Sequence, residues 1–384
     1  MASTRSSTAP RGAGPGGEAA SWFSSGELAA SRAYHVPLHR AALAVAGADL
    51  LVGLVVAAAA ARWAGGHGGD DGWVVRSLLV GAALAGLRAP HRAAVEWWRE
   101  TRHEPAHGDD AVGRGLVAAT AVGSAVARVA SWAVLSVALV GLSRWTPAWP
   151  LIAGGVALAG LLAGSVAGPR FAAGWLDRAR PLTDGALRRR IDGLAERAGL
   201  GPVAVLAGSG RLARTGEGAY VGGFGRARRL VVDAGLLAPG TPDDVVDAVV
   251  AHELAHWRLG HLRRGLAPPV LAVVVATALA SAFGRLEPAE LPMLDVVLRA
   301  TGLALAPLVA ARSRRAEHDA DALAAGLVVD GPAAATGVRQ LLLDARTELE
   351  PRGVGAWLAH YPPPAARLSR LAAGPTAQLG RARA

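Results

Sequence analysis

Two histidines and two carboxylates carry the chemistry open to this sequence. His252 and His256 stand four residues apart with Glu253 between them, in the run His252-Glu253-Leu254-Ala255-His256. On an α-helix, positions i and i+4 share a face, so both imidazoles can reach one metal ion. A metal ion held there makes water nucleophilic near neutral pH. Glu253, beside the pair, is placed to act as general base and to pass the proton to the leaving amine of a cleaved peptide. The competing reading is a surface helix with two solvated histidines.

A catalytic site of this type needs a third protein ligand and an open fourth position. The run Ser313-Arg314-Arg315-Ala316-Glu317-His318-Asp319-Ala320-Asp321 offers one. A helix starting at Ser313 puts Glu317 and Asp321 one turn apart on a single face. Glu317 can then reach the metal while Asp321 holds a ligand imidazole from behind. A charged helix at a membrane boundary would explain the arginines equally well, but it gives no reason for paired acids facing one way. The chain has no cysteine, which excludes thiolate ligands, iron–sulfur clusters, disulfides and thiol catalysis.

The elements that must position these groups are legible around them. Thr241 is a candidate N-cap, Pro242 suits the first helical position, and Asp243 and Asp244 favour the positive helix end. Val245, Val249, His252 and His256 fall on one stripe, so the ligands continue an apolar face. The segment 169–265 reads as a folded domain. Leu182 to Ala198 has helical periodicity with Thr183 or Asp184 as cap. Val203 to Leu206 and Leu230 to Val232 are β-prone runs in a sheet of two or three strands. From Pro351 onward the chain reads as weakly structured.

The rest of the chain is too apolar for an ordinary soluble protein. Of its 384 residues, 52% are apolar, and the mean hydropathy is +0.31. Six spans are expected, near 41–61, 73–87, 116–142, 149–168, 266–283 and 293–311. Asp49, Arg128, Asp295 and Arg299 fall inside them, so these charges either face a polar interior or mark shifted boundaries. The net charge is +10, and all of the basic residues are arginine. They gather in 169–265 and 312–384 and are sparse in the loops at 63–73, 143–148 and 284–292. That pattern fits membrane orientation better than a phosphate-tracking face, so no nucleic-acid partner is expected. It places both large polar segments, and the catalytic site, on the cytoplasmic side of the cell membrane. The expected domains are a disordered tail (1–40), an N-terminal membrane domain of about four spans (41–168) and a metalloprotease domain with two further spans (169–384). The expected fold is mainly α, a multi-span helical membrane protein with a zincin-like metalloprotease domain carrying a small β-sheet.

At these same residues the sequence resembles the membrane zinc metalloproteases that include the type I CAAX prenyl proteases and the bacterial HtpX proteases, more closely the former. Ala251 to His261 looks like the zinc helix of that branch, including Trp257 and the trailing Gly260-His261. Ser313 to Asp321 looks like its S-R-x-x-E-x-x-A-D motif, whose Glu is the third ligand. Gly218-Ala219-Tyr220 and Arg229 to Asp233 resemble the segment before the zinc helix, where an edge strand binds substrate backbone. The resemblance thus implies one Zn2+ per chain on His252, His256 and Glu317, Asp321 behind them, and Ala219 and Tyr220 as substrate-binding residues. It also implicates His360 in stabilising the oxyanion and Arg367 in substrate binding, from a His-Pro…Arg motif. Four departures stand out: Tyr361 replaces Pro, one extra residue separates His360 from Arg367, Gly218 replaces Asn, and His318 replaces an aromatic residue. The implied partners are a peptide or membrane-protein substrate and the lipid bilayer. A non-catalytic membrane scaffold or sensor that keeps the fold is the alternative, and a transporter using the charged spans is a third reading.

Overall fold

In a computed structural model of the chain, which describes residues 15–66, 72–110, 112–171, 178–209, 218–223 and 228–374, the apolar runs form helices and the Gly-flanked β-prone runs form one small sheet. First come α1 (Pro15–Trp22), α2 (Ser25–Gly66) and α3 (Trp73–Trp98), then a π-helical turn at Arg99–His103 and the short α4 (Glu104–Ala106). They are followed by α5 (Arg114–Trp145), α6 (Trp149–Phe171), β1 (Arg180–Pro181), α7 (Gly185–Arg197), β2 (Val205–Ala207), β3 (Ala219–Gly222) and β4 (Arg229–Val232). The remainder is helical: α8 (Asp243–Leu259), α9 (His261–Arg264), α10 (Ala267–Ser281), α11 (Leu291–Leu327), α12 (Gly331–Asp344), α13 (Val354–Leu358) and α14 (Pro364–Ala373).

Two compact units result, and they do not follow the expected boundaries at 41, 168 and 169. One comprises Tyr34–Ala163 and Leu266–Leu308; the other comprises Met1–Ala33, Gly164–Gly265 and Val309–Ala384. The last two apolar stretches therefore cluster with the first four, because lipid-compatible helices bury their small and apolar faces on one another.

Among the described residues, five helices meet the length and composition needed to cross a bilayer; the apolar stretch Trp149–Ser165 of α6 is shorter. In the first unit the apolar faces pack together. Val56, Leu84, Val140, Trp149, Leu286 and Leu294 form its core. The charges inside the spans face inward. Asp49 on α2 accepts from both Nε and Nη2 of Arg92, from His91 Nε2 at 2.9 Å and from Arg299 Nη1 at 3.4 Å. Arg88 donates to the Asp49 carbonyl at 2.9 Å and to Asp295 at 2.5 Å, and Arg299 Nε reaches Asp295 at 2.9 Å. Pairing of this kind is what makes buried charge tolerable. Arg128 instead donates to Ser124, one turn back on its own helix.

In the second unit, a four-stranded sheet of order β1-β2-β4-β3 replaces the expected two or three strands. β2 runs parallel to β4, while β1 and β3 are antiparallel to their neighbours. The extra strands are too short to announce themselves by alternation. Against the sheet pack α7, α8 and the C-terminal part of α11, through Ile191, Leu194, Leu230, Val232, Leu254 and Ala324. Asp184 caps α7 by accepting from the Ala186 and Leu187 amides. The cap of α8 is Pro242 rather than Thr241, so the helix begins one residue later than expected.

Three further expectations are corrected here. Residues 15–40 are helical rather than disordered: Phe23 and Leu28 are buried with Leu349, Ala365 and Leu368, and Arg339 donates to the Trp22 carbonyl at 2.7 Å. Residues 1–14 of that segment lie outside the described residues. Between Pro351 and Gly374 the chain forms α13 and α14, whose Leu368 is fully buried, while residues 375–384 lie outside the described residues. No separate helix starts at Ser313, because α11 runs unbroken from Leu291 to Leu327. In the first two cases partners distant in sequence supply the burial that local composition lacks.

Candidate active site

α8 presents His252 and His256 on one face because they are one turn apart. Their Nε2 atoms converge to 3.0 Å. Glu317, on α11, closes the triangle: its Oε2 is 3.2 Å from His252 Nε2 and its Oε1 is 3.5 Å from His256 Nε2. Glu317 is buried, and these three side chains could hold a metal ion. Glu253 turns the other way, toward the sheet, where its Oε2 accepts from the Val221 amide of β3 at 3.1 Å. The general-base candidate is thus tied to the edge strand.

Behind the ligands lies a charged buttress. Asp321, one turn beyond Glu317, places Oδ1 3.0 Å from His252 Nδ1. Arg367 on α14 donates to Asp321 from Nε at 3.1 and 3.2 Å and from Nη2 at 3.1 Å, and its Nη2 lies 3.8 Å from Glu317. Burial opposes a charge on His252, but hydrogen bonds to Asp321 and Glu317 outweigh it and raise the imidazole to about 9. Burial likewise opposes the Arg367 charge, while Asp321 raises the guanidinium above its usual range.

These groups line a cavity of about 580 Å3. Tyr220, Val221 and His360 line it as well, with Val338, Leu341 and Leu342 making an apolar wall. Ala219 is buried in β3, paired with Val232. His360 is exposed at the cavity wall, just past the C-terminal end of α13. Two departures from the family pattern have visible consequences. Gly218 adopts φ +64°, a left-handed conformation that Asn also tolerates, so Gly serves the backbone here as Asn would. Tyr361 places its ring 6.0 Å from the Arg367 guanidinium, a contact that Pro could not make. Sequence reasoning gave no structural role to His261, whose Nδ1 lies 3.0 Å from His256 Nδ1, or to Arg370, 3.7 Å from Asp321 and 2.9 Å from His318. A histidine directly after a helix-ending glycine was the available signal for the first; nothing local marked the second.

A His-Glu-x-x-His helix, a third carboxylate and an edge strand are the parts of a metallopeptidase site, and the chain carries helices long and apolar enough to cross a membrane. Residues 181–374, half of the chain, match the model of peptidase family M48, and the chain belongs to that family. It is similar to the CAAX prenyl protease 1 homolog of Arabidopsis thaliana, 39% identical over 83 residues, covering 21% of this chain and 19% of that protein. CAAX prenyl protease 1 of Saccharomyces cerevisiae is 32% identical over 96 residues, covering 24% of this chain and 21% of the yeast protein. The chain thus spans about a fifth of the length of the curated relatives it matches. The crystal structure of S. mikatae Ste24p shares the fold, with a TM-score of 0.59 over 77% of this chain and 76% of that one, at 18% identity. Over those segments the chain is similar to CAAX prenyl proteases.

Proposed function

We propose that this protein is a zinc-dependent endopeptidase of the membrane, with His252, His256 and Glu317 as ligands. The single observation that carries the reading is the convergence of two Nε2 atoms and one carboxylate to 3.0–3.5 Å from one another. Tetrahedral zinc with bonds of about 2.05 Å sets its ligand atoms roughly 3.3 Å apart, so this donor set fits the ion. The absence of cysteine agrees with an all His/Glu site.

Zinc bound there would polarise both a water molecule and the scissile carbonyl. Glu253 takes the proton of the attacking water and delivers it to the leaving amine. The substrate backbone pairs with the outer edge of β3 at Ala219 and Tyr220, as peptides do with edge strands. His360 donates to the developing oxyanion from the cavity wall. Arg367 bears on substrate indirectly, since its Nε and Nη2 are engaged with Asp321. The arginine-rich segments orient this site to the cytoplasm, and the substrates are peptides or membrane proteins at the bilayer.

The test is metal content combined with turnover. Purified protein should carry about one zinc per chain. Glu253→Gln should keep the metal and lose peptide cleavage by a factor of about 100 or more. Cleavage at the wild-type rate in that variant would refute the mechanism, and a zinc-loaded wild type that binds peptides without turning them over would mark a non-catalytic scaffold.

A further inference from the structure

The two ring nitrogens of His256 face different neighbours. Nε2 points into the cluster, toward His252 Nε2 and Glu317. Nδ1 points away from it and lies 3.0 Å from Nδ1 of His261. A neutral imidazole that ligates through Nε2 carries its proton on Nδ1. Nδ1 of His256 must then donate and Nδ1 of His261 must accept, which places the His261 proton on its own Nε2. His252 differs, since its Nδ1 faces the carboxylate of Asp321 at 3.0 Å.

We propose that His261 is a positioning residue of the metal centre, fixing the tautomer and ring orientation of His256 through this Nδ1–Nδ1 hydrogen bond. The proposal rests on the zinc reading of the site. The local fold explains how the residue arrives there. Gly260 ends α8 at φ +69°, its amide reaching the Trp257 carbonyl at 3.1 Å, and the chain reverses into α9. That turn carries His261, the first residue of α9, back over the last turn of α8. Its ring centroid lies 5.0 Å from that of His256, the planes are 71° apart, and the side chain is buried. The Gly265 amide donates to the His261 carbonyl at 2.6 Å and ties the backbone down.

The choice of an imidazole over a second carboxylate has a chemical consequence. Glu317 and Asp321 already bring two negative charges to the site, with Arg367 offsetting one. A neutral acceptor behind His256 orients the ring without adding a third, so the bound ion keeps more of its Lewis acidity.

The test compares wild type, His261→Ala and His261→Asn as full-length proteins in detergent. Zinc affinity is read by chelator competition, and ligand geometry by the visible bands of the cobalt(II)-substituted protein. Asn can place its Oδ1 near the imidazole Nδ1 position and accept the same hydrogen bond; Ala cannot. His261→Ala should weaken zinc binding about 10- to 100-fold and shift the cobalt bands, and Asn should restore most of both. Wild-type zinc affinity in His261→Ala would overturn the proposal, as would an Asn variant as weak as Ala. A wild type that takes up no zinc would instead overturn the reading of the site on which this one stands.

Discussion

Asp321 contacts the proposed metal ligand His252, and Arg367 in turn holds Asp321. The carboxylate holds the imidazole by its Nδ1, the guanidinium holds the carboxylate, and the chain of contacts runs from α14 through α11 to α8. Against its burial, His252 is raised to about 9 by Asp321 and Glu317, so protons compete with metal for its Nε2. The sign follows from the raised value. With the metal stripped, the charged ring stabilises the fold fully below pH 6.5, and that stabilisation fades as pH rises through about 9, by about 3 kcal/mol at most. Zinc affinity runs the opposite way, rising with pH toward 9. Unfolding curves of chelator-treated protein and zinc titrations between pH 6.5 and 9 should show these opposed trends; a zinc affinity independent of pH would contradict them.

The elements matter through the termini and faces they offer. α8 begins after Pro242 with two aspartates in its first turn and ends at a left-handed Gly260, so its length and its ligand face are set within its own sequence. β3 needs more than its own residues. It is an edge strand because it follows an antiparallel register on β4, with Ala219 opposite Val232 and Gly222 opposite Arg229. In the membrane unit, α2, α3 and α11 are joined by Asp49, Arg88, Arg92, Asp295 and Arg299. Removing one partner of such a network strands buried charge, at a cost of about 3–5 kcal/mol. Asp49→Ala should therefore lower the unfolding temperature in detergent markedly, with Asp49→Asn, which keeps an acceptor, losing less. An unchanged midpoint for the alanine variant would mean that these arginines find other partners.

At the scale of the whole molecule, the proposed orientation rests on where arginine is placed, and the cysteine-free chain allows a clean check. Ala148→Cys, in the short loop after α5, should react with an impermeant maleimide from outside the cell, and Arg352→Cys only after the membrane is opened. The reverse pattern would invert the topology. How much of this protein was legible without coordinates depends on the range of the interaction. His252, Glu253 and His256 could be read directly because one helical turn brings them together, and Glu317 with Asp321 because the same rule applies once a helix is granted. The apolar runs announced their helices because burial in lipid demands about 20 apolar residues in a row, a local requirement. The sequence by itself therefore determined the class of the fold, the charge asymmetry and the residues of the candidate metal site. Tertiary structure alone decided that Asp49 pairs with arginines on other helices, that α1 packs under α14, that four short strands make one sheet, and that His261 folds back onto His256. Those outcomes depend on surfaces far apart in the chain, whose complementarity no window of sequence contains.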